Sequence, residues 1–367
     1  IDLIEQMGAM FRSKSGERGI FSRENALRTM PPHRAEYLRA NGGALNLGTN
    51  PCGEIYLQSR SFCNLSQAVC RPADTVESLR RKVRLATILG TIQSMATHYP
   101  HLRADWARHA REERLLGVDI SGQADCPVVR DGAVMRELRN VAWGINNAYA
   151  QRLGINPSMS VTCCKPNGNS SVAIGAGPGI HGHKMRYGIR NARVSTHSAV
   201  YRVLRACGVP MDPENGQEAV TATKWVVHFP MRAPEGSIIA PEQSAVDQLE
   251  HWLLNKLNWT THNPSCTIEY SPDEMIAVIE WVWAHRDVIG GLSFLPRDGS
   301  IYRQMPYQST TLEEYEAAKA AFPKIDWALI AAFEAEDTTT SAREMACAAG
   351  ACGIDDMIAL VADGRPA

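Results

Sequence analysis

Asn50-Pro51-Cys52-Gly53-Glu54, followed shortly by Phe62-Cys63-Asn64-Leu65-Ser66, places a carboxamide, a thiol and a carboxylate on one short segment, with a second thiol eleven positions beyond the first. Read as an extended strand, residues i, i+2 and i+4 point to one face, so Asn50, Cys52 and Glu54 are expected to share a site. Pro51 and Gly53 then occupy the other face, where Pro pre-sets the backbone and Gly permits close approach. The interval to Cys63 is long enough for one strand to turn back beside Cys52. Glu54 is a candidate general base for a substrate hydroxyl, and Asn50 a candidate hydrogen-bond partner for a neighbouring hydroxyl or carbonyl. Cys63 is a candidate source of reducing equivalents through disulfide formation. The set asks for redox or radical chemistry. For either cysteine alone, an inert buried thiol remains open as the reading.

Working outward, short apolar or β-branched runs alternate with helical periodicity. Residues 75–97 read as a helix opened by an Asp74/Glu77 capping pattern, with Val76, Leu79, Val83, Ala86, Leu89 and Ile92 on one apolar face. Residues 133–152 read as a second helix. Ser271-Pro272-Asp273-Glu274 and Thr311-x-x-Glu314 open two more, and 325–335 reads as a fifth. Residues 117–121, 158–162, 225–229, 266–270 and 290–294 read as strands. This alternation predicts an α/β architecture with a mostly parallel sheet or barrel, whose chemistry collects at the strand C-termini. The Pro-, Gly- and Glu-rich region 212–243 reads as loop-rich around the one short strand 225–229, and not as a domain boundary.

Across 367 residues the formal net charge is −1 and 44% of residues are hydrophobic, a globular composition with no blanket electrostatic attraction for nucleic acid polymers or anionic membranes. No apolar run is long enough to span a membrane. The ten cysteines, spread along the chain without Cys-x-x-Cys or zinc-site spacing, suit a reducing cytoplasm and argue against a structural metal. The opening residues form no signal-peptide pattern and lack an initiator Met, which suggests a start within a longer protein. Lys165 followed by Pro166-Asn167-Gly168-Asn169-Ser170-Ser171 is a candidate phosphate-binding turn, with an ordinary connecting turn as the alternative. Cys347 and Cys352, separated by small residues, are a candidate mobile dithiol, or else two ordinary buried cysteines.

The Cys52 and Cys63 motifs, with their spacing, resemble the active-site segment of ribonucleotide reductases, and of the adenosylcobalamin-dependent (class II) group in particular. Residues 15–21, 112–118, 165–171, 262–267 and 290–296 extend the resemblance, and Cys347 with Cys352 is similar to the C-terminal dithiol of the monomeric members. The resemblance implies that Cys52 carries a thiyl radical that abstracts the 3′ hydrogen of a ribonucleotide. By the same resemblance Glu54 deprotonates the 3′ hydroxyl, Asn50 hydrogen-bonds the substrate, and Cys63 is one of two reducing thiols. Cys347 and Cys352 would then reduce the resulting disulfide, themselves served by a thioredoxin-like reductant, and residues 166–171 would hold the substrate phosphates. Family members usually carry Thr where Asn169 stands. With ten tyrosines but no Tyr-Tyr pair to relay a radical from another subunit, the expected cofactor is adenosylcobalamin.

The implied fold is half of a ten-stranded α/β barrel with a central cysteine-bearing loop and helices outside. Residues 1–335 would form the C-terminal half of the catalytic barrel, and 336–367 a flexible tail carrying the dithiol. The family's partner for Cys63 lies well before the Cys52 motif, whereas here Cys52 is the first cysteine of the chain. This implies a need for an N-terminal half supplied separately. The alternatives are a related radical enzyme of the same barrel type, although Gly350 lacks the flanking pattern of a glycyl radical site, and a non-catalytic nucleotide-binding partner subunit.

Overall fold

The computed structural model describes residues 2–14, 16, 19–297 and 302–334. They divide into two compact units. One comprises the described residues up to Lys184 together with those from Ala233 to 297, and the other Met185–Arg232 together with 302–334.

In the larger unit, five parallel segments are neighbours in succession. Strand Asn64–Val69 pairs with Leu116–Ser121 in parallel, Leu65 opposite Gly117. Parallel bridges then join Val118 to Thr162 and Cys164 to Pro264. Thr267–Tyr270 continues in parallel with Gly291–Pro296, whose far side takes Gly19–Phe21 antiparallel. Helices Val76–Gln93, Gly132–Leu153, Ala245–Asn258 and Met275–Ala284 connect these segments and pack on one another in that order. Leu116, Val118 and Ile120 join the helices in an apolar core with Trp252, Trp259 and Trp281. The expected α/β class holds, with mixed sheets and no closed barrel among the described residues.

The smaller unit departs from the expectation of parallel strands. Its four strands, in the order Tyr307–Ser309, Tyr187–Ser195, Lys224–Arg232, Met211–Pro213, are antiparallel throughout. The expected strand 225–229 lies within Lys224–Arg232, which runs on through Pro230, a residue that usually argues against strand; the loop-rich reading of 212–243 did not anticipate Met211–Pro213 pairing beside it, nor the boundary between the two units at Arg232.

Local capping explains several helix starts. Ser271 with Glu274 and Thr311 with Glu314 form the expected capping boxes. The first long helix instead uses Thr75 with Ser78, one residue later than expected, while Asp74 accepts from Arg71 N, Ser78 Oγ and Lys82 Nζ. Its buried face runs through Leu79, Val83, Ala86 and Gly90, whereas Leu89 and Ile92, expected inside, are 61% and 49% exposed. Gly90 sets this rotation: a side chain there would press on Ser66 and Leu116 of the strands beneath. The expected strand 158–162 reduces to a bridge because Thr261 Oγ1 takes the Val161 and Thr162 amides at 2.9 Å in place of a strand carbonyl. The helix expected at 325–335 shortens to Leu329–Glu334.

Gly290 lies against Tyr56, and a Cβ there would sit 1.9 Å from the Tyr56 hydroxyl. That hydroxyl is fixed between Lys256 and Asn263 and cannot swing away. Gly290→Ala is therefore expected to destabilise the protein by about 2–3 kcal/mol, the range for overpacking a filled core. Urea denaturation of both proteins checks this, and an unchanged midpoint contradicts it.

Candidate functional site

The Cys52 motif is not an extended strand. Gly48–Thr49 and Tyr56–Leu57 pair antiparallel, and residues 50–55 form the loop of that hairpin. Asn50 closes the loop from both sides. Its amide donates to Ile55 O at 3.2 Å, its carbonyl accepts from Gly53 N at 3.0 Å, and its Oδ1 accepts from Ile55 N at 3.1 Å. Gly53 turns the chain with φ +80°, a left-handed conformation that disfavours any residue with a Cβ. The turn, and not close approach, is what requires glycine there, since the space beside it is open.

This geometry separates Cys52 from Glu54 instead of aligning them on one face. Cys52 is an exposed free thiol at the loop tip. It borders a cavity of about 180 Å³ shared with Phe21, Pro51, Ser265, Cys266 and Gly291. Glu54 is fully buried, and neither carboxylate oxygen has a hydrogen-bond partner among the described residues. A buried carboxyl without donors costs on the order of 1–3 kcal/mol or more, so the site holds this group at a stability cost.

A buried network holds the hairpin from below. Arg34 Nε bonds Glu113 Oε1 at 2.9 Å, and its Nη2 donates to Tyr56 O at 2.7 Å. Gln58 Nε2 donates to the other Glu113 oxygen at 3.0 Å. Lys256 Nζ donates to Tyr56 Oη and to His262 O, both at 3.0 Å, and burial pushes this lysine down to about 7.

Cys63 stands just before strand Asn64–Val69. Burial, reinforced by the Glu54 charge, pushes its thiol up to about 12, against the pull of Lys165 and Arg34. It is held protonated. Cys163, absent from the expected set, is fully buried. Its thiol is pushed up by burial and then by the fields of Asp119, Glu54, Cys164 and Cys63, and its sulfur lies beside Gly117, as does the Ile55 side chain of the loop. Cys347 and Cys352, and residues 336–367 as a whole, lie outside the described residues.

The candidate phosphate turn is the start of a short helix, Gly168–Ile174. Its tight turn is made by Asn167 at φ +47°, and Gly168 keeps an ordinary φ. Lys165 N donates to Asp119 Oδ1 at 2.9 Å, and Asn167 Nδ2 donates to the other Asp119 oxygen. Ser170 Oγ donates to Asn167 Oδ1 and Ser171 Oγ to Gly168 O, while Gly168, Asn169 and Ser170 are exposed and Pro166 half-buried. Asp119, which anchors the turn, carries no local sequence signal. It falls on the hairpin side of an entirely buried strand, and only the fold brings Lys165 and Asn167 to it.

Among the described residues no cluster could hold a metal ion, and no helix is long and apolar enough to cross a membrane.

Burial pushes the Asp119 carboxyl up to about 7, despite the Lys165 and Asn167 donors. A carboxyl raised on folding contributes stability that is complete below its unfolded value of roughly 4 and is lost as pH rises through the folded value. The stability difference between wild type and Asp119→Asn should therefore move in the variant's favour by on the order of 1–4 kcal/mol between pH 4 and pH 8. Denaturation of both proteins across that range checks this, and a pH-independent difference contradicts it.

No family model matches the chain. It is 25% identical to the adenosylcobalamin-dependent ribonucleoside-triphosphate reductase of Lacticaseibacillus paracasei, over 94% of this chain and 50% of that one. It is 27% identical to the enzyme of the same description from Euglena gracilis, over 74% of this chain and 37% of that one. The chain thus spans about half the length, or less, of the curated relatives it matches. Among solved structures it resembles a B-12 dependent (class II) ribonucleotide reductase with a TM-score of 0.74, at 21% identity, over 90% of this chain and 50% of that one. The alpha subunit of the Actinobacillus ureae class Id ribonucleotide reductase follows at a TM-score of 0.53 and 14% identity, over 81% of this chain and 64% of that one. The resemblance carried by the Cys52 and Cys63 motifs is borne out: over most of its length this chain is similar to adenosylcobalamin-dependent ribonucleoside-triphosphate reductases.

Proposed function

We propose that this chain is the thiol-bearing part of a ribonucleotide reductase that converts ribonucleotides to 2′-deoxyribonucleotides by a thiyl-radical mechanism. The observation that carries the reading is the hairpin loop itself, which presents the Cys52 thiol outward and two residues later buries the Glu54 carboxyl, without a hydrogen-bond partner among the described residues. A substrate hydroxyl would supply the hydrogen bond that Glu54 lacks.

In this reading Cys52, as a thiyl radical, takes the 3′ hydrogen, and Glu54 accepts the proton of the 3′ hydroxyl. The 2′ hydroxyl leaves as water. Two thiols supply the two electrons and two protons and end as a disulfide, Cys63 being one of them. Asn50 retains its Nδ2 for the substrate, since of its side chain only Oδ1 is engaged in closing the loop. The turn 166–171 would hold the substrate phosphates through the backbone of exposed Gly168, Asn169 and Ser170 and the side chain of Asn169. The resemblance assigns re-reduction of the disulfide to Cys347 and Cys352, with a thioredoxin-like reductant behind them.

The relatives' descriptions point to adenosylcobalamin as cofactor, which when bound supplies the radical by cleavage of its cobalt–carbon bond. The exposed Cys52 fits this role at its receiving end, because a group seated outside the loop can reach it. The cavity beside Cys52, at about 180 Å³, is below the roughly 300–1,000 Å³ of sites that enclose drug-sized ligands, so these residues do not by themselves cage a corrin.

We assign the remaining barrel strands and the second reducing thiol to an N-terminal half. The half-length match to the relatives supports this, as does strand Asn64–Val69, which pairs on one side only among the described residues. Its covering helix leaves Leu85 and Leu89 64% and 61% exposed. The eight described cysteines are free thiols, which agrees with a reducing cytoplasm.

Purified chain mixed with adenosylcobalamin and ribonucleotide should form no deoxynucleotide until the N-terminal half of a reductase is added, and turnover by the chain alone contradicts the proposal. In the assembled enzyme Cys52→Ser should bind nucleotide within about twofold of wild type while reduction falls by at least about 10³-fold, as for loss of a nucleophile. Residual reduction near the wild-type rate would remove Cys52 from the mechanism.

A further inference from the structure

The hairpin loop carrying Cys52 is held by one neighbouring segment in an unusual way. Three successive loop carbonyls each accept a hydrogen bond from Asn263–Ser265. Cys52 O accepts from Ser265 Oγ, Gly53 O from Asn263 Nδ2 at 3.0 Å, and Glu54 O from Asn263 N at 3.1 Å. The segment is rigid in turn. Asn263 Oδ1 accepts from Tyr56 Oη at 3.1 Å, and its Nδ2 also reaches Gly291 O at 3.1 Å. Ser265 N donates to Cys164 O at 3.0 Å beside the parallel bridge from Cys164 to Pro264.

The donors differ in setting. Asn263 is buried and woven into the core, so its contribution is inseparable from folding. Ser265 is half-buried, lines the same cavity as Cys52, and takes the carbonyl of the thiol-bearing residue itself. On the loop's inner side, Asn50 fixes Gly53 and Ile55 but donates nothing to Cys52. Ser265 is thus the one side chain that bonds the Cys52 backbone among the described residues. Thiyl chemistry at a sugar carbon requires the sulfur within contact distance and correctly aimed, and a misplacement of about 1 Å can cost about 10²-fold in rate.

We infer that Ser265 is a positioning residue that fixes Cys52, with Asn263 as its buried support. The inference deepens the proposed function and rests on Cys52 being the reacting thiol.

The test compares Ser265→Ala with Ser265→Thr, which keeps the hydroxyl. Amide hydrogen exchange of the full chain reads the loop without any catalysis. Loss of one such hydrogen bond should speed exchange at the Gly53 and Ile55 amides about five- to tenfold in Ser265→Ala, with exchange in strand Leu116–Ser121 unchanged, and Ser265→Thr should restore protection. Unchanged exchange at Gly53 and Ile55, acceleration spread equally through the unit, or failure of threonine to restore protection overturns the inference. In the assembled reductase, Ser265→Ala should lower kcat at least tenfold with KM within twofold, and Ser265→Thr should recover it. A raised KM at unchanged kcat would also overturn it. If no assembly reduces nucleotide, the proposed function fails, and the exchange measurement still decides whether Ser265 fixes the loop.

Discussion

The site rests on the guanidinium of Arg34, which has no contact with solvent and three hydrogen-bonding partners. It joins Glu113, the Tyr56 carbonyl and the His262 ring, and so ties helix Pro32–Ala40, the returning strand of the hairpin, the end of helix Ala104–Glu113 and the segment before Asn263 at one point. A buried ion pair is a poor source of net stability, because desolvation offsets most of the attraction. Its value here is geometric. Remove the cation and Glu113 keeps only Gln58 and Ser61 as side-chain hydrogen-bond partners in the core.

Above this anchor the chain makes two opposite environments within three residues. The left-handed Gly53 lets Cys52 project outward while Glu54 turns inward. A thiol that exchanges hydrogen with something outside the loop belongs at the surface. In the proposed reading, a carboxylate that accepts a proton from a substrate hydroxyl gains from such a low-dielectric setting. Cys63, Cys163, Lys165 and Asp119 share that interior field, and each thiol there is held in its protonated form.

What could be read in the sequence was what is encoded locally. The capping boxes at Ser271 and Thr311 were legible because cap and partner are three residues apart. The chemical identity of the Cys52 motif was legible because the residue types and spacing are distinctive. Its conformation was not, since a period of two over five residues cannot separate a strand from a loop when Pro and Gly hold the alternate positions. Leu89 and Ile92 fitted the helical period but face outward, because Gly90 and Thr91 bring the opposite side to the strands and to Asn146. The contacts of Arg34, Asp119, Lys256 and Ser265 were not legible, although Asp119 lay on an expected strand and Ser265 in a segment that extends the resemblance, because their partners lie tens to hundreds of positions away in sequence and meet only in the folded chain.

The central claim is that the Cys52 sulfur removes hydrogen from a sugar carbon. It is tested most directly by supplying the assembled reductase with ribonucleotide deuterated at the 3′ carbon and following deoxynucleotide formation. The account predicts a primary isotope effect on product formation, with the 3′ label traceable to the cysteine and back to the product. Identical rates for labelled and unlabelled substrate in single-turnover conditions, with the 3′ bond never broken, would contradict it.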